Sequence, residues 1–267
     1  EDARDRDGSM DGGELLCQRS EAFDVDAVTT DDLYVDADAA PGGAGSEGSP
    51  LSDLEAALTR ATPGTTVHVA EGVYGSVFAA DVQGTAVAPI RVLGAPGAVV
   101  NGGSGEGIHL TDPRYVVLQG LTFRGSASHA INIDDGGSYE TPAQFVVLRD
   151  ITIDEAGSGG NNDCVKLSGV DDFWIEGSDI GGCDRGESVD MVGCHRGVIQ
   201  GNEFRATVGN GVQTKGGSAD VLIAGNRFVA IPGRAVNAGG STGLEFFRPI
   251  DAPHEAARIR VEANLFV

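Results

Sequence analysis

CVKLSGVDDFWIEGSDI at residues 164–180, SVDMVGCHRGVIQGNEF at 188–204 and GVQTKGGSADVLIAGNRF at 211–228 read as three copies of one pattern. Each copy opens with a short run alternating apolar and polar residues, turns at glycine, and continues into a second β-rich run ending on Ile or Phe. Alternation at period two marks a strand, and Gly, Asp, Asn and Ser at the joints are turn formers. Working outward, the first run recurs as GIHLT from Gly107, AINID from Ala130 and AVNAG from Ala235. Its aligned apolar residues, Ile108, Ile131, Val165, Val189, Val212 and Val236, are spaced by 23, 34, 24, 23 and 24 residues. The second run recurs as VVLQGLTF, VVLRDITI and IRVEANLF, so each repeat supplies at least two strands.

A register near 24 residues without hairpin signals excludes a two-sheet sandwich, and the spacing of a leucine-rich repeat is absent. The strands of each column are expected to stack coil on coil in parallel, with alternate side chains filling one continuous core. The long interval places extra residues in DDGGSYETPAQF, 134–145, which should project beside the first column. Asn202, Asn226 and Asn264 share one position and are expected to form a hydrogen-bonded ladder. Trp174, the single tryptophan, falls in a strand column and reads as core packing rather than a sugar platform.

The 267 residues and 40% hydrophobic content suit one large all-β domain, and 41 glycines suit many tight turns. A net charge of −22 excludes diffuse attraction to nucleic acid or anionic membrane, and no apolar window approaches a membrane span. Residues 1–31, with Asp2, Asp5, Asp7, Asp11 and Glu14, read as a loose acidic leader that Cys17 could pin to a domain spanning 32–267. Cys17, Cys164, Cys183 and Cys194 form no zinc pattern and leave disulfides and buried thiols equally open. LSDLEAALTRA predicts one short helix, with Ser52 as N-cap and Glu55 completing a capping box. The sequence stops at Val267 directly after a strand, so further residues or another chain are expected to cover that end.

LYVDADAAPGGAGSEGSPLSDLEAALTRATPGTTVHVAEGVYG, 33–75, resembles the entry segment of pectate-lyase-like β-helix proteins. The resemblance, over about 32–267, implies a right-handed parallel β-helix whose short helix plugs the open end. It further implies a secreted or cell-surface protein whose partner is a polysaccharide.

Registering the first column predicts an outward row His109, Asn132, Lys166, Asp190, Gln213 and Asn237. A row upstream holds Glu106, His129, Asp163, Glu187, Asn210 and Arg234, and a row downstream holds Asp134, Ser168, Val192, Lys215 and Gly239. The chain contains only two lysines, and this register puts both on that face; lysine, unlike arginine, can be tuned to act as a base. Solvated lysines ion-paired to Asp190, Asp163 or Glu187 are the plainer expectation, with Arg185 a further cation there. Asp163, Glu187 and Asp190 on consecutive coils would suit Ca²⁺.

By the roles found in such families, the resemblance implies a lyase cleaving uronate-containing polysaccharide by β-elimination. Lys166 or Lys215 would be the base, Asp163, Glu187 and Asp190 the calcium ligands, and Arg234, Gln213, Asn132 and His129 substrate contacts. A second expectation is a glycoside hydrolase, because NNDCVKLSG at Asn161–Gly169 resembles the Asp-Asp-Cys strand of polygalacturonases, with GCHRG at 193–197 a loose echo of a second element. Such a hydrolase would use Asp163 with Asp190 or Glu187. A third is a carbohydrate-binding solenoid without catalysis. GGSTGLEFFRP, 239–249, with Phe246, Phe247 and Arg248, is expected to border the groove or to shield the core.

Overall fold

The computed structural model describes residues 24–27, 30–138, 140–158 and 162–267. The strands wind into a parallel β-solenoid, and every ladder between its named strands is parallel. Each full coil carries three strands, one more than the two that the sequence columns delineate. The site sheet consists of Val77–Ala80, Ile108–Thr111, Ile131–Asp134, Val165–Ser168, Val189–Val192, Val212–Lys215 and Val236–Ala238. A nine-stranded sheet runs from Asp31–Val35 to Ala256–Glu262, and an eight-stranded sheet from Gly72–Tyr74 to Leu265–Phe266.

The additional strand arises at a corner that splits the second run. Gly120, Asp150, Gly177, Gly201, Gly225 and Ala263 stack there with φ of 71°, 53°, 62°, 64°, 63° and 54°. This left-handed conformation bends an extended chain sharply; glycine adopts it freely, while Asp150 and Ala263 are held in it by their place in the stack. The residue after the bend carries the asparagine ladder. Asn226 Oδ1 accepts from the backbone N–H and Nδ2 of Asn202, each at 3.0 Å, and Asn226 Nδ2 donates to Ile199 O at 2.8 Å. Asn264 repeats the arrangement on Asn226.

Inside, Phe123, Phe204 and Phe228 are fully buried with aliphatic side chains from all three sheets, and Phe204 and Phe228 stack at 5.0 Å. Trp174 is buried too, but outside the solenoid. Alternation turns Phe173 and Ile175 inward, leaving Trp174 on the outer face with Val117, Val147, Val198 and Leu222. Val25 packs on this outer stripe and Arg149 pairs with Asp26 at 2.9 Å, so that part of the acidic leader is seated, not loose. Leader residues 1–23, including Cys17, and 28–29 lie outside the described residues.

The plug helix spans Leu54–Arg60 and buries Leu54, Ala57 and Leu58. Its N-cap is Asp53, not Ser52: Asp53 is the last extended residue, and its carboxylate accepts the Glu55 N–H at 2.9 Å. Glu55 instead accepts the Phe78 N–H at 3.0 Å, tying the plug to the edge of the site sheet. Cys164 and Cys183 form a disulfide, and Cys194 is a buried thiol pushed up to about 12 by burial, hence unreactive. Among the described residues no helix is long and apolar enough to cross a membrane.

Asn226→Ala strands the Asn202 N–H and the Ile199 carbonyl in the interior, so urea unfolding should show a loss of about 2–4 kcal/mol. Asp220→Ala, which removes the half-exposed pair with Arg258, should cost under about 1 kcal/mol.

Candidate active site

Parallel pairing fixes which side chains meet. Asn132, Lys166, Asp190 and Gln213 are direct partners on consecutive strands, as are Asp134, Ser168, Val192 and Lys215 two positions on. The upstream row also stacks, since Gly107 N–H donates to His129 O, Cys164 N–H to Glu187 O, and Gly211 N–H to Arg234 O. Over this face lies a groove of about 680 Å³. Its floor includes His129, Asn132, Lys166, Ser168 and Lys215; its walls are the 135–137 loop and a segment bearing Thr242, Phe246 and Arg248.

Both lysines converge on one carboxylate. Lys166 Nζ bonds Asp190 Oδ2 closely, and Lys215 Nζ lies 3.0 Å from the same oxygen. Asp190 is 1% exposed while the lysines are only partly covered, so two ammonium groups at the groove surface share one buried counter-charge. Ion pairing and a place on the groove therefore hold together for both lysines.

Behind Lys166 lie two groups whose protonation is inverted by burial. Burial and the nearby Lys166 cation lower His129 to about 4, so its ring is neutral at neutral pH. His129 Nδ1 accepts the Asp163 N–H at 2.8 Å, which leaves the ring proton on Nε2. Asp163, 1% exposed, is raised to about 8 by burial, by the Asp190 charge and by its contact with the Glu187 carboxylate. Its Oδ1 accepts the Glu187 N–H at 2.9 Å.

This donor set does not fit calcium. Asp190 Oδ2 is matched by two ammonium groups while Oδ1 has no partner among the described residues, Asp163 holds a proton near neutrality, and Glu187 accepts from Asn210 Nδ2 at 3.1 Å. Hard cations need ionised, uncommitted oxygens, and among the described residues no three His, Cys, Asp or Glu side chains stand in metal-binding geometry. Arg185 is exposed and joins no ion pair there.

His129, Asn132, Lys166 and Lys215 thus face the groove, whereas Asp163, Glu187 and Asp190 lie outside its lining. Gln213 is in the expected row but buried: its Oε1 accepts from Asn210 and Asn237, and Gly240 packs over it. Arg234 is exposed and outside the lining, because its side chain leaves the last complete coil where no further strand extends that face.

Both groove walls fall on segments that the sequence expects beside the strand face, 134–145 and 239–249; periodicity does not give the contacts that anchor them. Arg248 is buried and forks onto Asp171, Nη1 to Oδ1 at 2.6 Å and Nη2 to Oδ2 at 2.8 Å, and also donates to Gly193 O. Burial alone would raise the Asp171 carboxyl, but Arg248, His195 and Arg196 hold it well below the usual carboxylate range. Glu255 accepts the N–H and hydroxyl of Thr242, each at 2.8 Å, fixing the other end of that wall. The 134–145 insertion does flank the strand face, and it delivers a buried Asp135.

A family model described as a right handed beta helix region matches residues 98–247. A search of curated proteins finds no match. Among solved structures, an alginate lyase from Paenibacillus sp. str. FPU-7 is similar, with a TM-score of 0.64 and 21% identity over 89% of this chain and 76% of that one. A rhamnogalacturonan lyase gives 0.57 and 14% over 89% and 62%. PfbA, a surface adhesin of Streptococcus pneumoniae, gives 0.51 and 16% over 80% and 66%.

His129 and Asp163 act on stability with opposite signs. The unfolded imidazole binds a proton below about 6.5 and the folded one only near 4, so its contribution falls as pH drops through that window. Asp163 keeps its proton in the fold, so its contribution is complete at low pH and fades as pH rises towards 8. Urea titrations from pH 4 to 9 should show these trends offsetting one another up to about 6.5 and a decline above it. Asp163→Asn should abolish the decline, and His129→Gln should make it begin near pH 4.

Proposed function

The chain belongs to the right-handed β-helix family, and from that premise we propose that its groove binds an acidic, uronate-containing polysaccharide and cleaves it by β-elimination. The observation that carries this reading is the placement of both lysines of the chain over one buried aspartate beneath an open groove. Two fold neighbours are lyases of alginate and rhamnogalacturonan, which adds plausible substrate classes without assigning one.

Elimination needs three things: a neutralised uronate carboxylate, a base for the C5 proton and a proton for the departing oxygen. One lysine, as the free amine, takes the C5 proton. The other stays an ammonium facing the carboxylate, helped by Asn132, whose Nδ2 is held by Glu106 Oε1 at 3.0 Å. As the C5–H bond breaks, its electron pair forms the C4=C5 double bond and the C4–O bond releases its oxygen. Asp190 keeps the two amines together whichever holds the extra proton. His129 presents Nε2–H to the substrate as a hydrogen-bond donor.

A hydrolase would use Asp163 with Asp190 or Glu187; all three lie outside the groove lining and the two aspartates are each 1% exposed, so hydrolysis is the weaker fit. The Cys164–Cys183 disulfide supports action in an oxidising, extracellular setting.

Incubation with alginate, polygalacturonate and rhamnogalacturonan should give unsaturated-product absorbance from at least one. Lys166→Ala and Lys215→Ala should each lower kcat/KM by about 10²–10⁴-fold with the fold intact. Reducing ends without the unsaturated chromophore would establish hydrolysis; saturable binding with no product from any glycan would establish a binding module.

A further inference from the structure

Two aspartates open the loop after Ile131–Asp134, and they face different partners. Asp134 closes its strand and holds His109 Nε2 at 2.6 Å. Asp135 is 5% exposed, and its Oδ1 accepts the Gly137 N–H at 2.9 Å. Its Oδ2 is buried and has no hydrogen-bond partner among the described residues. That oxygen lies against Gly169, where an added Cβ would come within 2.0 Å of it, so only glycine admits the carboxyl in this position. Asp135, Gly136, Gly137 and Gly169 line the same groove as Lys166 and Lys215.

A desolvated carboxyl oxygen without a partner is rare in a folded protein and calls for one. The backbone of the loop has already used Oδ1, and Asp135 itself lines the groove, where a substrate pressing on the 135–137 loop would meet its carboxyl. Of the charges around it, Asp134 and Asp112 repel a negative carboxylate, while Arg248 attracts one from beyond ion-pair range, its fork being taken by Asp171. Burial prevails, so the Asp135 carboxyl is raised and keeps its proton to higher pH than an ordinary aspartate.

Resting on the elimination reading above, we propose that Asp135 is the catalytic acid that protonates the oxygen leaving C4. The lysine amine gains the C5 proton, the C4–O pair goes to the departing oxygen, and the Asp135 O–H proton passes to it, leaving carboxylate and a neutral sugar hydroxyl. Proton exchange through water between the new ammonium and the carboxylate restores both groups, so no further reactant is needed. The unsaturated sugar would then sit with its C4 towards the 135–137 loop.

The test compares two leaving groups. On the uronate polymer that the wild type cleaves, Asp135→Asn should lower kcat by about 10²–10⁴-fold with little change in KM. On a synthetic uronate bearing 2,4-dinitrophenoxide at C4, which departs without a proton, the same variant should approach the wild-type rate. Independently of any variant, the wild-type kcat should fall as pH rises through the Asp135 titration on the polymer and not on the activated substrate. Equal losses on both substrates, an effect confined to KM, undiminished turnover of the polymer, or identical pH profiles would each overturn the assignment. Absence of unsaturated product from the wild type on every polymer would overturn the elimination reading, whereas normal wild-type elimination with an unimpaired Asp135→Asn overturns the acid alone.

Discussion

Backbone hydrogen bonds between successive coils hold equivalent side chains about 4.8 Å apart, whatever those side chains are. That separation is favourable for rings and amides, which stack and chain: Phe204 and Phe228 follow one another inside and the exposed Phe266 continues their column, as do Ser178, Asn202, Asn226 and Asn264 along the corner. It is unfavourable for like charges. At another left-handed stack the sequence alternates sign, Asp172, Arg196, Asp220 and Arg258, and the ion pairs Asp172–Arg196 and Asp220–Arg258 follow. The same constraint governs the groove, where every charge meets its neighbour on the next coil.

On the site sheet the alternation gives way to a cluster. Lys166 pairs with Asp190 across one step, and Lys215 reaches the same carboxylate diagonally, because Gln213 rather than a cation follows Asp190 in its row. Asp163, facing Asp190 in the adjoining row, cannot also ionise cheaply and keeps its proton; His129, facing Lys166, cannot easily gain one. These two shifts come from the same geometry as the lysine pair. They leave the groove with two lysines on one buried aspartate and a neutral imidazole, in a protein of net charge −22.

The period of 23 to 24 residues carried most of this. It was enough to pair Lys166 with Asp190, to stack the asparagines and to place the insertion beside the face, since a fixed register converts sequence distance directly into spatial contact. It did not reveal the third strand, because a bend at Gly120 or Asp150 inside an apolar run looks the same as a strand passing through. Nor did it give the fate of Gln213: its row is set by the repeat, but its burial is set by the Gly240 segment, which has no counterpart on other coils. Three acids on neighbouring coils are compatible in sequence with either Ca²⁺ or a network of ion pairs. Two lysines and a retained proton satisfy them, and spacing does not report protonation.

Asp135 and Arg248 lay beyond periodic reading for a common reason: each sits on a segment that interrupts the repeat, and each is fixed by contacts distant in sequence. Arg248 meets Asp171 across 77 residues, and a bidentate pair buried on both sides holds one loop position far more strictly than a surface pair would. Glu255 clamps the same segment from Gly216 and Thr242. The wall facing Lys215 is thereby tied to the strands beneath it, although its residues follow no repeat. A solenoid supplies a flat, regular face on which any two charges can be brought together; what turns that face into an enclosed groove is the pair of irregular loops, and their anchoring belongs to tertiary chemistry rather than to the repeat.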